Sequence, residues 1–294
     1  MKVLNFGSLN YDYVYRVDHA VKAGETISSS GMETFLGGKG LNQSIALARA
    51  GVPVFHAGMV GEEGQLFLDT CRASGVNTDF IRMIPGKSGH TIIQLDKNAQ
   101  NCILLYGGAN RRITKEFADE VLSHFDKGDI LLLQNEISEL AYIIEKAYEI
   151  GMQIVLNPSP FDEKLEECDL NKVSVFLLNE IEGNQISGET EGEKILDAMT
   201  ERFPGARIVL TLGADGVMYR DAEQSCSQEI FRVKAVDTTA AGDTFTGYFI
   251  ASILLGMPVA EALSMCAKAS AIAVSRMGAT DSIPTMEEVR NMEL

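Results

Sequence analysis

Short, nearly continuous apolar segments alternate along the chain with longer segments in which apolar residues recur every three or four positions. The short segments predict buried strands, and they are VLNF (3–6), ILLLQ (130–134), IVLN (154–157), VFLLN (175–179) and RIVLTLG (207–213). The longer segment 138–150 predicts a helix on which Leu140, Ile144 and Ala147 share a face, with Gly151 as its stop. This alternation is typical of βαβ units and therefore of a parallel sheet covered by helices.

Two regions interrupt this rhythm. Residues 11–36 contain no good helix pattern, and residues 89–106 predict two strands, HTIIQLD and NCILLYG, around a turn at Lys97–Gln100. We interpret the two regions, about 11–36 and 89–108, as one small β-sheet that forms a lid on the main sheet. The alternative is two separate surface excursions. Because no low-complexity tract or Pro/Ser-rich linker separates these regions from the rest, the sequence predicts a single domain over 1–294.

A predicted helix follows the glycine-rich segment 37-GGKG-40 and ends before Gly51. Its residues Leu41, Ile45 and Ala48 share one side, as in a helix that packs on a sheet. The glycines let the backbone approach another group closely. Their spacing matches neither a P-loop nor a G-x-G-x-x-G dinucleotide motif, so the segment indicates either a binding loop or a flexible turn.

A second predicted helix follows 237-DTTAAGD-243. Phe245, Phe249 and Ile253 recur every four residues, so a buried helix is expected to begin near Asp243. The small residues before it lie where the first N–H groups lack helical partners, which is a favourable place for an anion such as phosphate. A carboxylate there repels phosphate, so its presence indicates a second role, such as taking a proton from an attacking hydroxyl. The alternative is a helix-capping aspartate.

Composition and charge argue against several classes of binding partner. The chain has 294 residues, 46% of them apolar, and a formal net charge of −16, which argues against nucleic acid or an anionic membrane surface as partner. The five cysteines form no C-x-x-C pair, which favours a reducing compartment. The first residues do not resemble a signal peptide, and no apolar run is long enough to span a bilayer. We therefore expect a cytoplasmic protein.

Taken together, GGKGLNQSIALARAG (37–51) and DTTAAGDTFTGYF (237–249) resemble the paired signatures of the ribokinase-type carbohydrate kinases. The similarity extends along the chain in further blocks: GSLNYDYVYRVD (7–18), GGAN (107–110), QNE (134–136), LLNEIE (177–182), VLTLGADGV (209–217) and AIAVSRMGATDSIP (271–284). The resemblance implies a Rossmann-like αβα sandwich with a mostly parallel sheet and a β-sheet lid that closes over a sugar. In this family the lid often forms a homodimer interface.

The resemblance also implies the reaction. The γ-phosphoryl group of ATP passes to a sugar hydroxyl with help from Mg²⁺ and a monovalent cation, K⁺. The double alanine in DTTAAGD favours D-ribose as acceptor and ribose 5-phosphate as product, with fructose, 2-keto-3-deoxygluconate or a nucleoside as alternatives. The segment YDYVY (11–15) places three tyrosines on one strand face and is more aromatic than in many members of the family, which keeps the nucleoside alternative open.

The family roles map onto individual positions. Asp243 matches the base that acts on the sugar hydroxyl, and the N–H groups of Ala240, Ala241 and Gly242 match the hole for the γ-phosphate. The positions that match sugar-binding residues are Asn10, Asp12, Gly38, Lys39, Asn42 and Glu136, together with Asp243. The positions that match nucleotide contacts are Asn179, Thr211, Gly213, Gly216 and Gly242, with 267–271 near the adenine. Glu182 matches a residue that holds Mg²⁺ through water, with Asn179 beside it. The positions that match the monovalent-cation site are Asp237, Thr239, Ala273, Arg276, Gly278 and Ser282.

Several of these residues also have ordinary structural explanations. Asp12 follows the first strand and fits a turn, although the carboxyl end of a parallel strand is also where such sheets bind ligands. Lys39 fits a solvated surface lysine, and Glu182 fits an acid that complements a helix dipole. The four histidines share no metal-ligand spacing and are interpreted as structural. A non-catalytic sugar- or nucleotide-responsive protein on the same scaffold is a further alternative, against which the retained Asp243 argues.

Overall fold

The computed structural model describes residues 1–98 and 100–292. Ala99, in the turn predicted at Lys97–Gln100, lies outside the described residues. The strands are β1 (Val3–Phe6), β2 (Asn10–Arg16), β3 (Gly31–Gly37), β4 (Val54–Val60), β5 (Asn77–Met83), β6 (Gly89–Leu95), β7 (Asn101–Tyr106), β8 (Ile130–Gln134), β9 (Gln153–Asn157), β10 (Val175–Asn179), β11 (Arg207–Thr211), β12 (Val217–Arg220) and β13 (Ser225–Gln228). The α-helices are α1 (Lys39–Arg49), α2 (Gln65–Ala73), α3 (Lys115–Leu122), α4 (Leu140–Ile150), α5 (Glu180–Ser187), α6 (Gly192–Arg202), α7 (Ala241–Leu254), α8 (Val259–Val274) and α9 (Met286–Arg290).

The main sheet has nine strands in the order β13-β12-β11-β10-β9-β8-β1-β4-β5. Every neighbouring pair from β5 to β11 is parallel, and β12 pairs antiparallel with both β11 and β13, so β12 alone of these nine strands runs in the opposite direction. All five strands predicted from apolar runs are present. The strand predicted at 207–213 ends earlier, at Thr211, because Gly213 turns the chain with a φ of 54°. The predicted helix at 138–150 starts at Leu140 and ends before Gly151, whose φ is 87°.

Helices cover both faces of this sheet, because alternate side chains of each buried strand point to opposite sides. Leu131 and Leu133 of β8 belong to one apolar cluster, which also contains residues of α3, α4 and α6. Leu132, between them, belongs to a second cluster, which contains residues of α1, α7 and α8. The predicted αβα sandwich with a mostly parallel central sheet is confirmed.

The two irregular regions form one small sheet of four strands in the order β3-β2-β6-β7. β2 pairs antiparallel with β3 and parallel with β6, so the two regions are not separate surface excursions. Asp12 lies within β2 rather than in a turn. At one edge of this sheet, every residue of β7 is exposed. In the described part of the chain, no helix combines the length and hydropathy needed to cross a membrane.

Close contact between α1 and α7 brings the two glycine-bearing motifs together. A Cβ atom built on Gly247 of α7 would lie 2.4 Å from the Cβ atom of Ala46 and 2.8 Å from the backbone nitrogen of Leu47. A Cβ atom on Gly40 would lie 2.3 Å from the backbone nitrogen of Ser8. Since real side-chain atoms do not approach so closely, these glycines let the helices and the end of β1 pack without a gap.

Candidate active site

Helix α7 begins without a side-chain cap. It starts at Ala241, two residues before the position expected from the sequence, so Asp243 lies in its first turn. Ala240 precedes it with a φ of 60°, a left-handed conformation that is rare for residues other than glycine and often marks a functional site. A Cβ atom on Gly242 would meet nothing within 4 Å, so packing does not explain this glycine. The first turn of the helix therefore opens onto free space.

That space is a cavity of about 250 Å³. It collects residues from α1, from the carboxyl ends of β9, β10 and β11, and from the start of α7, the edge at which an open parallel sheet binds ligands. Its lining residues are Lys39, Asn157, Ser159, Leu177, Leu178, Asn179, Glu182, Thr211, Thr238, Ala240, Ala241, Gly242, Asp243, Phe245 and Thr246. Eight of the residues predicted to contact sugar, phosphate, nucleotide or Mg²⁺ therefore lie around one cavity: Lys39, Asn179, Glu182, Thr211 and Ala240–Asp243.

The carboxylate of Asp243 is held by two side-chain amides of α1. Asn42 Nδ2 donates to its Oδ2 at 2.9 Å, and Gln43 Nε2 donates to its Oδ1 at 2.8 Å. All three side chains are buried, and Asp243 is only 8% exposed. Sequence reasoning singled out Asp243 and Asn42 but missed Gln43, because a glutamine in a helix carries no distinctive signal.

A second group of polar residues lies at the junction of the two sheets. Asp12 accepts a hydrogen bond from the hydroxyl of Thr91, and the side-chain oxygen of Asn10 accepts one from Asn110 Nδ2 at 2.7 Å. Burial raises the pKa of Asp12 to about 6; the hydrogen bond from Thr91 opposes this shift, and the charge of Glu136 adds to it. Thr91 and Asn110, which hold two of the predicted sugar-binding residues, were not anticipated as site residues.

Glu136 connects this group to the start of α1. Its carboxylate accepts hydrogen bonds from the hydroxyl of Ser8 and, at 3.1 Å, from the backbone N–H of Lys39. Burial raises the pKa of Glu136, while the charge of Lys39 opposes the shift. Gly38 precedes Lys39 with a φ of 95°, a conformation that favours glycine and turns the chain into the helix.

Lys39 lies at the centre of the site's charges. Burial acts to lower the pKa of its ammonium group, but the carboxylates of Asp243, Glu136 and Glu182 outweigh burial and raise that pKa. Among the described residues, Lys39 forms no ion pair within 4 Å. Its positive charge therefore remains available to an anion in the cavity.

Asn179 and Glu182 form a capping box at the start of α5. The Asn179 side chain accepts from the backbone of Ile181 and Glu182, and the Glu182 carboxylate accepts from the Asn179 backbone at 3.0 Å and from its side-chain amide at 3.1 Å. The capping box accounts for this pair without a ligand. Both residues also line the cavity, and Glu182 is 5% exposed, so its charge acts on the cavity.

Other predicted nucleotide positions lie away from the cavity lining. Gly213 and Gly216 flank the turn between β11 and β12 with φ values of 54° and 97°, and a Cβ atom on Gly216 would lie 2.2 Å from the carbonyl oxygen of Gln228. Backbone conformation and packing thus explain both glycines. The segment 267–271 lies within α8, where Ser270 donates to the carbonyl oxygen of Ala241 at 3.1 Å.

The predicted cation residues come together in two adjoining segments. Asp237 Oδ1 accepts from the N–H and the hydroxyl of Thr239 at 2.9 and 2.6 Å, and its Oδ2 accepts from the N–H of Gly278 at 3.0 Å. The Ser282 hydroxyl is buried and donates to the carbonyl oxygen of Ala279 at 2.8 Å.

Two further predicted cation residues are already engaged elsewhere. The carbonyl oxygen of Ala273 accepts from the N–H of Arg276 at 3.1 Å. The Arg276 guanidinium pairs with Glu288 at 2.6 Å. Of these two residues, Arg276 could therefore contribute only its backbone carbonyl oxygen to a cation, since its side chain is cationic and paired.

Comparison with known proteins gives a consistent result. The sequence profile of the pfkB family carbohydrate kinases matches residues 1–286. The chain is 34% identical to a ribokinase of Schizosaccharomyces pombe, over 98% of this chain and 96% of that protein. It is 31% identical to a ribokinase of Bacillus subtilis, over 97% of each chain. The structure of Arabidopsis thaliana ribokinase complexed with ribose and ATP superimposes with a TM-score of 0.86 and 28% identity, covering 98% of this chain and 97% of that one.

Proposed function

The chain belongs to the pfkB family of carbohydrate kinases, and we propose that its reaction is the transfer of the γ-phosphoryl group of ATP to the 5-hydroxyl of D-ribose. The observation that carries this proposal is the uncapped first turn of α7. This turn directs backbone N–H groups into an open cavity, and it also carries the carboxylate of Asp243. The sugar hydroxyl oxygen forms a bond to the γ-phosphorus as the bond from phosphorus to ADP breaks, and the hydroxyl proton passes to Asp243.

The sugar occupies the side of the site nearest the small sheet. Asp12 and Asn10 are carried by β2 and Glu136 follows β8, so hydroxyl groups of the ring meet acceptors from both sheets. A carboxylate suits this task because it accepts from two adjacent hydroxyls at once. The small sheet closes over the sugar as a lid, which excludes water from the phosphoryl transfer.

The phosphates of ATP occupy the α7 side. The N–H group of Gly242 and the positive end of the helix dipole meet the γ-phosphate, joined by the N–H group of Ala241, which otherwise donates to the carbonyl oxygen of Thr238 at 3.4 Å. The ammonium of Lys39, which has no close carboxylate partner among the described residues, adds a positive charge to the same space. We assign Thr211 to the nucleotide on the ground that it lines this cavity at the end of β11.

The residues present fit Mg²⁺ as a partner of ATP. Glu182 presents a buried carboxylate and Asn179 an amide to the cavity, both oxygen donors of the kind that Mg²⁺ prefers. In the described part of the chain, no three His, Cys, Asp or Glu side chains cluster closely enough to hold a metal ion by themselves. Asn179 and Glu182 would therefore hold Mg²⁺ through water and ATP phosphates, and the ion would neutralise developing phosphate charge.

The segments around Asp237 and Gly278 fit a monovalent cation. Their donors are a carboxylate, hydroxyls and backbone carbonyls, all of them oxygen atoms, and the hydrogen bond between Asp237 and Gly278 ties the two segments together. K⁺ at this position would fix the loop that leads into α7. We expect turnover in Na⁺-only buffer to be well below turnover in K⁺ buffer, with equal rates after thorough removal of K⁺ counting against the site.

Two of the three tyrosines of β2, Tyr11 and Tyr13, favour a sugar over a nucleoside. Tyr11 is 7% exposed, its hydroxyl donates to the carbonyl oxygen of Glu63 at 2.8 Å, and its ring packs on Phe67. Tyr13 stacks on Tyr11. Since these rings are engaged with the protein, they do not form a platform for a nucleobase.

We also infer a homodimer through the small sheet and a cytoplasmic location. The edge strand β7 carries four large apolar side chains that are at least 41% exposed, and an exposed apolar edge strand readily pairs with another strand. The five free cysteines fit a reducing compartment.

An ADP-release assay across D-ribose, deoxyribose, fructose, 2-keto-3-deoxygluconate and several nucleosides tests the acceptor. We expect the highest kcat/KM with D-ribose. A kcat/KM at least about tenfold higher with any other acceptor, which corresponds to about 1.4 kcal/mol of transition-state stabilisation, would reassign the substrate while leaving the kinase assignment intact.

A further inference from the structure

A chain of buried side-chain amides runs inward from Asp243, away from the cavity. Gln43 donates through Nε2 to Asp243 Oδ1 and accepts through Oε1 from Gln134 Nε2 at 2.7 Å. Gln134 Nε2 also donates to Asn5 Oδ1 at 2.9 Å. Asn5 Nδ2 in turn donates to Ser44 Oγ at 2.8 Å, and Gln43, Gln134, Asn5 and Ser44 are all 0% exposed.

Each amide in this chain has one permitted orientation. Asp243 only accepts, so Gln43 must turn its NH₂ group toward Asp243 and its oxygen toward Gln134. If Gln134 were rotated by half a turn, its oxygen would face the oxygens of both Gln43 and Asn5. The hydrogen bond from Gln134 therefore fixes the orientation of the Gln43 side chain. Gln43 in turn fixes the position of Asp243 Oδ1.

The other oxygen of the carboxylate has a different neighbour. Asp243 Oδ2 accepts from Asn42, whose own side-chain oxygen is buried and has no hydrogen-bond partner among the described residues. Asn42 thus has only the NH₂ end of its amide engaged, whereas Gln43 has both ends of its amide engaged inside the protein. The two oxygens of Asp243 are distinguished by what holds them.

We propose that Gln43 is a positioning residue for the phosphoryl transfer: it holds Oδ1 of Asp243 so that Oδ2 faces the acceptor hydroxyl and receives its proton. The inference rests on the proposed role of Asp243 as base. Gln134 orients Gln43 through a hydrogen bond, and Asn5 orients Gln134 in the same way. Apolar residues would fill this part of the core with no polar group to satisfy, whereas a fully oriented amide chain fixes a carboxylate in one rotamer.

The test compares Gln43→Met with Ser252→Ala. Methionine keeps the length and volume of glutamine but removes the donor, while Ser252 is a buried polar residue of α7, the helix that carries Asp243, and its hydroxyl has no partner among the described residues. We expect Gln43→Met to lower kcat about 10- to 100-fold, because a small misplacement of a reacting group has effects of this size, with KM for sugar and ATP within about twofold of wild type. Ser252→Ala keeps the wild-type kcat.

Gln134→Met extends the test to the residue that donates to Gln43. It also replaces the first variant if Gln43→Met does not fold. It leaves the donor to Asp243 in place but frees Gln43 to rotate, so we expect a smaller fall in kcat, about 3- to 10-fold, again with unchanged KM. A kcat within about twofold of wild type in the folded variants would overturn the proposal, even with lowered thermal stability. A raised KM with unchanged kcat would overturn it as well.

All rates are measured with the sugar that the wild-type chain phosphorylates best. A different preferred sugar therefore corrects the proposed substrate without touching the role of Gln43. Asp243→Asn in the same series separates the two ideas further: if it keeps wild-type turnover, the base assignment fails, and the positioning role fails with it.

Discussion

Individual residues of the site are held by contacts that the sequence only partly announces. The motif 237-DTTAAGD-243 singles out Asp243, because a carboxylate beside three small residues needs an explanation. The same reasoning does not identify Gln43 or Thr91, because they look like ordinary helix and strand residues. Their proposed roles depend on partners far away in the chain. Gln43 and Asp243 are 200 positions apart. Their pairing follows from the fold, not from any local pattern.

Replacing Asp243 with asparagine tests the base directly. The variant keeps the side-chain shape but cannot take up the hydroxyl proton, so we expect kcat to fall about 10²- to 10⁴-fold. Nucleotide affinity should persist because the N–H groups of α7 remain. Steady-state kinetics and calorimetric titration with an ATP analogue provide the two measurements, and near-wild-type turnover would refute the role.

If Asp12 binds the sugar as proposed, we expect sugar use to depend on pH. Its pKa is raised from 3.8 to about 6, so Asp12 takes up a proton as the pH falls through about 6 and then loses its capacity to accept from two hydroxyls. We expect kcat/KM for the sugar to fall about tenfold per pH unit below that value. Thermal stability is measured at each pH to exclude unfolding as the cause. Asp12→Asn should show a lower but flatter profile, and a flat wild-type profile down to about pH 5 would contradict the assignment.

At the scale of elements, the strands were easier to predict than the helix starts. Runs such as 130–133 are apolar because both faces of the main sheet are covered. β4 was missed because His56 and Gly58 interrupt its apolar run. His56 is buried, its Nδ1 shares a hydrogen bond of 2.8 Å with the hydroxyl of Ser44, and burial lowers its pKa to about 4. The start of α7 was placed two residues late, since Ala240 adopts a left-handed conformation that its sequence does not indicate.

Two glycines of α7 should respond differently to the same substitution. Gly247→Ala places a methyl group 2.4 Å from Ala46, so we expect a loss of about 1–3 kcal/mol in the free energy of unfolding. Gly242→Ala meets no protein atom within 4 Å, so stability should stay within about 0.5 kcal/mol of wild type while turnover falls at least about tenfold. Denaturant unfolding and steady-state kinetics on both variants measure these two effects. A stable, fully active Gly242→Ala variant would exclude phosphate from that position.

At the scale of the whole molecule, the strand β7 leaves an apolar edge of the small sheet uncovered. All residues of β7 are exposed, and Leu104 is 67% exposed at the edge of the small sheet. We expect the wild-type chain to sediment at about twice its 32.0 kDa mass, and Leu104→Lys to sediment as a monomer because a charge there must be desolvated on pairing. Leu255→Lys, at a position that is 56% exposed after α7, is the matched control and should leave the dimer intact. A monomeric wild type would argue against this interface.

The order in which the chain is synthesised gives the pairing of β2 a further consequence. Asn10 of β2 lies opposite Gly89 of β6, so β2 and β3 can form only a marginal two-stranded unit until β6 has been made. The carboxylate of Asp243 meets α1 later still, when most of the chain exists. The reaction centre is therefore among the last parts of the molecule to assemble. A nascent chain that stops before α7 lacks Asp243, the proposed base, so we expect an unfinished product not to consume ATP by the proposed reaction.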